Sequence, residues 1–138
     1  MKIEKTARKI ASNILAMSRG TLVVDECVKE LSIPLREKNI HIIEPRPGEK
    51  DEDIIERLLP NRIIITKNPK DFKNHASSYD IGIIDVSKLK FIDPSSVKNK
   101  TVGIISNAII KYNLWSMRHG FILTLHDNGK HVLKELTE

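Results

Sequence analysis

The chain has 138 residues, a length typical of one domain that is large enough to bury an apolar core. Apolar residues make up 40% and charged residues 30%, which excludes a disordered chain, and no stretch reaches the roughly 18 consecutive apolar residues of a transmembrane helix. The net charge of +5 permits a polyanionic partner, but the basic residues are spread along the chain without one dominant cluster, so a solvated surface is the simpler explanation.

The beginning of the chain predicts an amphipathic helix over residues 3–18, because its apolar side chains recur at steps of three and four. We expect this segment, residues 1–19, to be a helical extension that packs on the core or on a partner. It lacks the apolar run and cleavage pattern of a secretory signal peptide. Together with the single cysteine, Cys27, it favours a cytoplasmic protein that does not enter a membrane.

The next segment predicts a buried strand that ends on two acids. Leu22, Val23 and Val24 form a short apolar run rich in β-branched residues, which is typical of a strand covered on both faces. The run stops at Asp25 and Glu26, and a buried strand has no use for paired acids at its end. In an open parallel sheet the carboxyl ends of the strands face the crevice where ligands bind. Asp25 is therefore the first candidate for chemistry.

The middle of the chain alternates predicted helices and strands. In chain order the pattern predicts a helical segment from Val28 to about Lys38, a strand at 40–43, a polar turn at 46–50, a helix that begins with Asp51-Glu52-Asp53, a strand at 63–65, a polar loop at 67–72 and a strand at 81–84. In the first helical segment, Pro34 either begins a second helical turn, with Ser32 as its cap, or kinks one helix. Short crossovers between the strands predict right-handed connections and a parallel sheet.

Residues 91–138 predict a longer helix and a closing hairpin. The helix is expected to begin near Asp93, where an acid and a proline stand in the first turn. The sequence Asn128-Gly129 lies between two β-type runs, and this dipeptide favours a tight hairpin turn. We therefore expect the chain to end in an antiparallel ribbon.

The acids fall into a pattern that indicates a metal site. Asp25 follows the first strand, Asp51, Glu52 and Asp53 begin a helix, and Asp71 lies just past the third strand. Residues past strands one and three can meet at one end of a parallel sheet, and converging carboxylates repel unless their pKa values rise or a cation joins them. Oxygen ligands of this kind suit Mg²⁺ or Mn²⁺. Acids in a first helical turn also have a structural explanation, since the helix dipole favours them.

Three of these segments resemble motifs of the PIN-domain nucleases, in particular the small PIN-like proteins. Residues 22–26, followed by an apolar helix, resemble a first strand that ends in Asp-Glu. Residues 51–55 are similar to the short acidic motif that begins a helix in this family. Residues 64–72 resemble the family's pattern of a strand, Thr, a basic residue, Asn or Asp, and then Asp-Phe. The resemblance covers residues 20–90, which we take as the core motifs.

The resemblance implies the fold and the activity. It implies a single three-layer α/β/α PIN-like domain over residues 1–138, with a short parallel sheet, an extra N-terminal helix and a C-terminal β-hairpin. It also implies a metal-dependent endoribonuclease that hydrolyses RNA phosphodiester bonds. In that enzyme Asp25, Asp51 and Asp71 would hold Mg²⁺ or Mn²⁺ and act in catalysis.

Further roles and partners follow from the same resemblance. The supporting residues would be Glu26, Glu52 (a rival of Asp51), Thr66 and Asn68, and the RNA-binding residues would be Lys67 and Lys70. Many family members are toxins with a cognate antitoxin protein, and many form homodimers, so both partners are implied. Many nucleolytic members carry Asp at the position of Asn68. The alternative is a non-catalytic PIN-like binding or regulatory module with an incomplete metal site.

Other candidate chemistry is weaker. Cys27 lies beside two acids that would raise the pKa of its thiol, so a packing role is expected. The five histidines show no zinc-site spacing with cysteine. Trp115, Arg118 and His119 are interpreted as a helix-end anchor rather than an RNA-stacking site. A response-regulator receiver fits poorly because the third strand ends in Thr66 instead of Asp, and a Rossmann-type nucleotide binder lacks its glycine-rich loop.

Overall fold

A computed structural model describes residues 21–58, 62–74, 81–90, 100–112, 114 and 120–136. The helix expected at residues 3–18 lies outside the described residues. So do the predicted helix start at Asp93 and the anchor residues Trp115, Arg118 and His119.

Six strands of the described residues form one sheet. They are β1 (Thr21–Val24), β2 (His41–Ile43), β3 (Ile63–Thr66), β4 (Gly82–Asp85), β5 (Gly120–Leu125) and β6 (His131–Leu136). Their order across the sheet is β2-β1-β3-β4-β5-β6, with parallel pairing from β2 to β5 and an antiparallel pair between β5 and β6. The turn between the last two strands uses Gly129 at φ 81°, as a tight hairpin requires. The predicted parallel strands and the closing hairpin are confirmed.

The helices of the described residues are short. They are a 3-10 helix (Glu26–Leu31), α1 (Ser32–Glu37), α2 (Asp51–Arg57), α3 (Lys70–Lys73) and α4 (Val102–Tyr112). Pro34 therefore stands in the first turn of a second helix and does not kink a single one. Ser32 does not cap that helix, because Leu31 occupies the cap position and the Ser32 hydroxyl is buried without a partner among the described residues.

One predicted loop is in part a helix. Residues 70–73 form α3, whereas the sequence pattern predicts a loop over 67–72. Pro69 occupies the position before this helix with φ −62°, a value that its ring fixes and that suits a helix start. Phe72 is fully buried, so packing on the sheet holds a turn of helix that is too short to be stable by itself.

Apolar side chains cover both faces of the sheet. Because side chains alternate along a strand, Val24 and Val23 belong to two different cores. The first core packs the strands against the 3-10 helix, α1 and α4, and the second packs them against α2 and Phe72 of α3. The fold is therefore of the mixed α/β class with three layers. No helix in the described ranges is long and apolar enough to cross a membrane.

The strand order identifies where a ligand site is expected. β1 pairs with β2 on one side and with β3 on the other. The order of the strands in the sheet therefore changes direction at β1, and the point between β1 and β3 is the topological switch point. In open α/β sheets the crevice at such a switch point lies beyond the carboxyl ends of the strands and is the usual ligand site. Asp25 and Thr66 stand at those two ends.

Candidate functional site

Polar side chains replace apolar ones where four neighbouring parallel strands end. Asp25 follows β1, Thr66 and Asp85 are the last residues of β3 and β4, and Thr124 lies near the end of β5. Thr66 pairs with Asp85, and Asp85 pairs with Thr124. Each stands two residues after a side chain of the second core, so strand alternation directs all four toward the face that α2 and α3 cover. This polar row forms the floor of the candidate site.

Asp25 is held by hydrogen bonds at both carboxylate oxygens. The hydroxyl of Thr66 donates to Oδ2 at 2.7 Å, and the backbone N–H of Glu26 donates to Oδ1 at 2.9 Å. The backbone N–H of Asn68 donates in turn to the Thr66 hydroxyl at 3.0 Å. Because Thr66 is completely buried, its proton is committed to Asp25 and fixes the carboxylate at the switch point.

Cys27 also contacts this pair. Its thiol lies 3.4 Å from Asp25 Oδ2 and 3.8 Å from the Thr66 hydroxyl. Burial of the sulfur raises the pKa of the Cys27 thiol; the Lys67 N–H and the Thr66 hydroxyl lower it in part, and the charge of Asp25 raises it again. The residue as a whole is exposed, so the expected packing role is wrong. Cys27 is a neighbour of the candidate catalytic acid with a thiol of low reactivity.

Asp51 and Asp71 interact with each other. Asp51 is the first residue of α2, and Asp71 stands in the first turn of α3, which packs against α2. Desolvation raises the pKa of Asp51, and so do the charges of Asp71 and Asp25 and a hydrogen bond with Asp71. Three acids from separate segments are therefore electrostatic neighbours, as the sequence pattern predicts.

The remaining predicted residues take different positions. Glu26 and Asn68 reach Asp25 and Thr66 through backbone N–H groups, since those are the atoms that make the bonds. Glu52 is exposed on α2 and adds only a minor charge effect to the pKa of Asp51. Lys67 follows Thr66 directly, and Lys70 is exposed at the start of α3.

The loop before Asp51 is braced by an ion pair. Arg57 donates from Nε to Glu49 Oε2 at 2.9 Å and also from Nη2 to Oε1, and the Arg46 N–H donates to Oε1 at 2.9 Å. The bond from Arg57, followed by that from Arg46, lowers the pKa of Glu49 to about 2. Gly48 at φ 73° permits the turn that presents Glu49. This ion pair, which we call the Glu49–Arg57 brace, links the loop before α2 to the last residue of α2 and so fixes the start of the helix.

The carboxylate oxygens of the candidate site are suitable ligands for a hard cation, but their positions are not those of a formed metal site. Within the described ranges, no three His, Cys, Asp or Glu side chains are arranged to hold one metal ion together. The three acids Asp25, Asp51 and Asp71 nevertheless supply only oxygen ligands, and their mutual repulsion is what a divalent cation relieves. The chemistry of the set fits Mg²⁺ or Mn²⁺, and its side chains would have to move closer to share one ion.

Asp85 is a site residue that the sequence analysis missed. It is 7% exposed, ends β4 beside Thr66, and accepts the Ser87 N–H at 2.9 Å. The predicted strand ended one residue earlier, at Ile84. An acid after a buried apolar run is the same signal that selected Asp25, so the pattern could have identified it.

Comparison with known proteins identifies no similar family, protein or structure. No protein-family model matches the chain, and no curated protein or solved structure is significantly similar to it.

Proposed function

We propose that the chain is a PIN-like, metal-dependent endoribonuclease. The observation that supports this proposal best is that Asp51 interacts electrostatically with both Asp71 and Asp25, near the carboxyl ends of β1 and β3. Acids that converge at a topological switch point are costly for folding, because like charges repel there. A role in binding a cation explains why three of them stand together.

Each residue of the site then has a task. Asp25, Asp51 and Asp71 would hold Mg²⁺ or Mn²⁺, and the bound ion would supply an activated water and offset charge on the phosphate. Thr66 orients Asp25 by its 2.7 Å hydrogen bond, and the Asn68 N–H orients Thr66. Lys67 and Lys70 follow β3, where their charges would attract the phosphates of RNA.

The resemblance to PIN-like proteins adds partners to the proposal. If the chain is the toxin of a toxin–antitoxin pair, an antitoxin protein would bind it and suppress RNA cleavage. Homodimer formation belongs to the same hypothesis. Light scattering of the purified chain tests the dimer, and loss of RNA cleavage on adding the product of a neighbouring gene tests the antitoxin.

A specific observation favours a second function, that of a non-catalytic binding or regulatory module. No three metal-binding side chains are arranged around one point in the described residues, and Asn68 brings an amide where many nucleases carry an acid. Such a module would keep the fold and bind RNA without cleaving it. The two functions differ in one measurable property, which is metal-dependent turnover.

The test is RNA cleavage with Mg²⁺ or Mn²⁺, compared between the wild type and Asp25→Asn. A matched pair, Asp51→Asn and Asp53→Asn, changes the same charge in the same helical turn, yet only Asp51 interacts with Asp71 and Asp25. The nuclease proposal expects Asp25→Asn and Asp51→Asn to lose activity and Asp53→Asn to keep it. Equal activity in wild type and Asp25→Asn would place the chemistry elsewhere, and RNA binding without cleavage would establish the second function.

A further inference from the structure

Lysines that are far apart in the sequence come together at the carboxyl edge of the sheet. Lys67 and Lys70 follow β3, Lys88 and Lys90 follow β4, and Lys130 lies in the hairpin turn after β5. β3, β4 and β5 are neighbours in the sheet, so these segments begin only about 5 Å apart from one strand to the next. We call these five lysines the basic edge. It begins at the switch point and extends toward the hairpin.

The part of the basic edge that is farthest from the acids is structurally fixed. The Lys90 N–H donates to both carboxylate oxygens of Asp127, at 3.0 and 3.2 Å, and so ties the loop after β4 to the hairpin turn. Lys130 is held in that turn by a bond from its N–H to Asn128 Oδ1 at 2.9 Å. The lysine side chains are therefore presented from a defined backbone, and the carboxylate of Asp127 accepts the Lys90 N–H.

Four charges of the basic edge, those of Lys70, Lys88, Lys90 and Lys130, are available to a ligand. The ion pairs found between described residues, Arg36–Glu44 and Arg57–Glu49, lie elsewhere and involve none of these four lysines. Lys70, Lys88, Lys90 and Lys130 are exposed. Residues 44–57, which follow β2 in the chain, carry six acids against three bases. A polyanion that approaches the site is thus attracted by the basic edge and repelled by residues 44–57.

We propose that the basic edge binds the phosphate backbone of single-stranded RNA and leads it to the acids at the switch point. The choice of RNA rests on the proposed nuclease function. A row of lysines, which act as point charges, follows one flexible backbone, whereas an A-form duplex is recognised across its wide, shallow groove by contacts to both strands. The strand would lie across the ends of β3, β4 and β5 and away from β2.

The experiment measures binding separately from cleavage. A fluorescein-labelled oligouridylate of about 12 nucleotides, within the range of single-stranded binding sites, is titrated in EDTA and followed by fluorescence anisotropy at several salt concentrations. The test variant is Lys88→Gln/Lys90→Gln. The matched control is Lys38→Gln/Lys134→Gln, which changes two exposed lysines away from the basic edge; both double variants lower the formal net charge from +5 to +3. Circular dichroism establishes that each variant is folded.

We expect the test variant to bind about tenfold more weakly near 0.1 M salt, and its log–log salt slope to fall by about 1.4, the value for two lost contacts on a single strand. The control should stay within about twofold of the wild type. Equal weakening in both variants would overturn the basic edge, as would absence of wild-type binding. Duplex DNA and phosphatidylserine vesicles are tested as competing ligands. If either binds as tightly as the oligouridylate or more tightly, and if that binding depends on Lys88 and Lys90, the choice of single-stranded RNA is overturned.

These outcomes separate this inference from the nuclease proposal. Edge-dependent binding of RNA that is never cleaved in Mg²⁺ or Mn²⁺ refutes the nuclease and retains the basic edge. If cleavage requires Asp25 but RNA binding does not depend on Lys88 and Lys90, the basic edge is refuted and the nuclease proposal is retained.

Discussion

Thr66 donates its hydroxyl proton to Asp25 across the junction of β1 and β3, at 2.7 Å. The two residues are 41 positions apart in the sequence, yet Asp25 directly follows β1 and Thr66 ends β3, and these two strands are paired in parallel. The bond therefore joins the two sides of the switch point, where a ligand crevice is expected in this class of sheet. Any function of Asp25 depends on a hydroxyl that is completely buried behind it.

Thr66→Val should remove hydrogen bonds from the candidate site while the chain keeps its fold. Valine fills the same volume but leaves Asp25 Oδ2 without its strongest donor and the Asn68 N–H without its acceptor. We expect a loss of about 1–3 kcal/mol in the free energy of unfolding, together with a large loss of RNA cleavage. Urea denaturation and the cleavage assay measure the two effects. Thr124→Val, a change of the same type in the same polar row, is the control, and an equal effect of both would show that Thr66 has no special role.

Asp51→Asn should stabilise the chain near neutral pH while abolishing the metal response. Desolvation and the charges of Asp71 and Asp25 raise the pKa of Asp51, so ionisation of this carboxyl is unfavourable in the folded state. The wild type consequently loses stability as pH rises through that pKa, and the advantage of the asparagine variant should disappear in acid. Thermal denaturation across pH measures this difference.

Metal addition gives the same variant a second readout. Mg²⁺ or Mn²⁺ should raise the melting temperature of the wild type, because a ligand that binds only the folded state stabilises it. The effect should vanish in Asp51→Asn and persist in Asp53→Asn, which also controls for the interaction of an acid with the helix dipole. A metal response that survives in Asp51→Asn would remove Asp51 from the proposed ligand set.

The sequence predicts those parts of the site that depend on local patterns. An apolar run that stops at an acid identifies β1 and Asp25, and the parallel-sheet rule predicts that residues past strands one and three meet. The position of Asp71 is harder, because α3 has only four residues and is held by burial of Phe72 rather than by helix propensity. The pattern therefore predicts the acid but not the helix that presents it.

The basic edge could not be predicted from the sequence. Lys67, Lys88 and Lys130 are separated by tens of residues, and no local pattern connects them. They meet only because β3, β4 and β5 are adjacent in the sheet, and strand order depends on which strands pair rather than on the periodicity of any one strand. Lysines that look dispersed along the chain are thus gathered at one edge of the sheet in the described part of the protein.

The Glu49–Arg57 brace should stabilise the start of α2 in a pH-dependent way. The pKa of Glu49 is lowered from its ordinary value of 4.5 to about 2 by Arg57 and by the Arg46 N–H. For a carboxyl whose pKa is depressed, the stabilisation is fully present above the unfolded pKa and is lost as pH falls through the folded one. Glu49→Gln should therefore lower the melting temperature above pH 4.5, and the difference from wild type should shrink toward pH 2. Glu56→Gln, which changes another acid of the same shallow pocket, is the matched control.

Cys27 should react slowly with alkylating reagents at neutral pH. Burial and the charge of Asp25 raise the pKa of its thiol, and the thiolate is the reactive form. Asp25→Asn removes that charge, so the rate of iodoacetamide labelling near pH 7.5 should increase. Mass spectrometry against time measures the rate, with free glutathione as the reference. A wild-type rate equal to that of glutathione would contradict the raised pKa of the Cys27 thiol.

Gly82→Ala should destabilise the sheet at the start of β4. Gly82 begins β4, and a β-carbon there would overlap the ring of Phe121, a fully packed core residue of the neighbouring β5. The Phe121 ring cannot move away in a close-packed interior, so we expect the free energy of unfolding to fall by about 1–3 kcal/mol. Gly103→Ala is the matched control, because its β-carbon would meet open space inside α4, where alanine favours the helix by about 1 kcal/mol. Opposite signs of the two effects in urea denaturation would establish that the contact with Phe121, and not the loss of glycine, sets the cost. Equal signs would mean that β5 does not pack on β4 at this position.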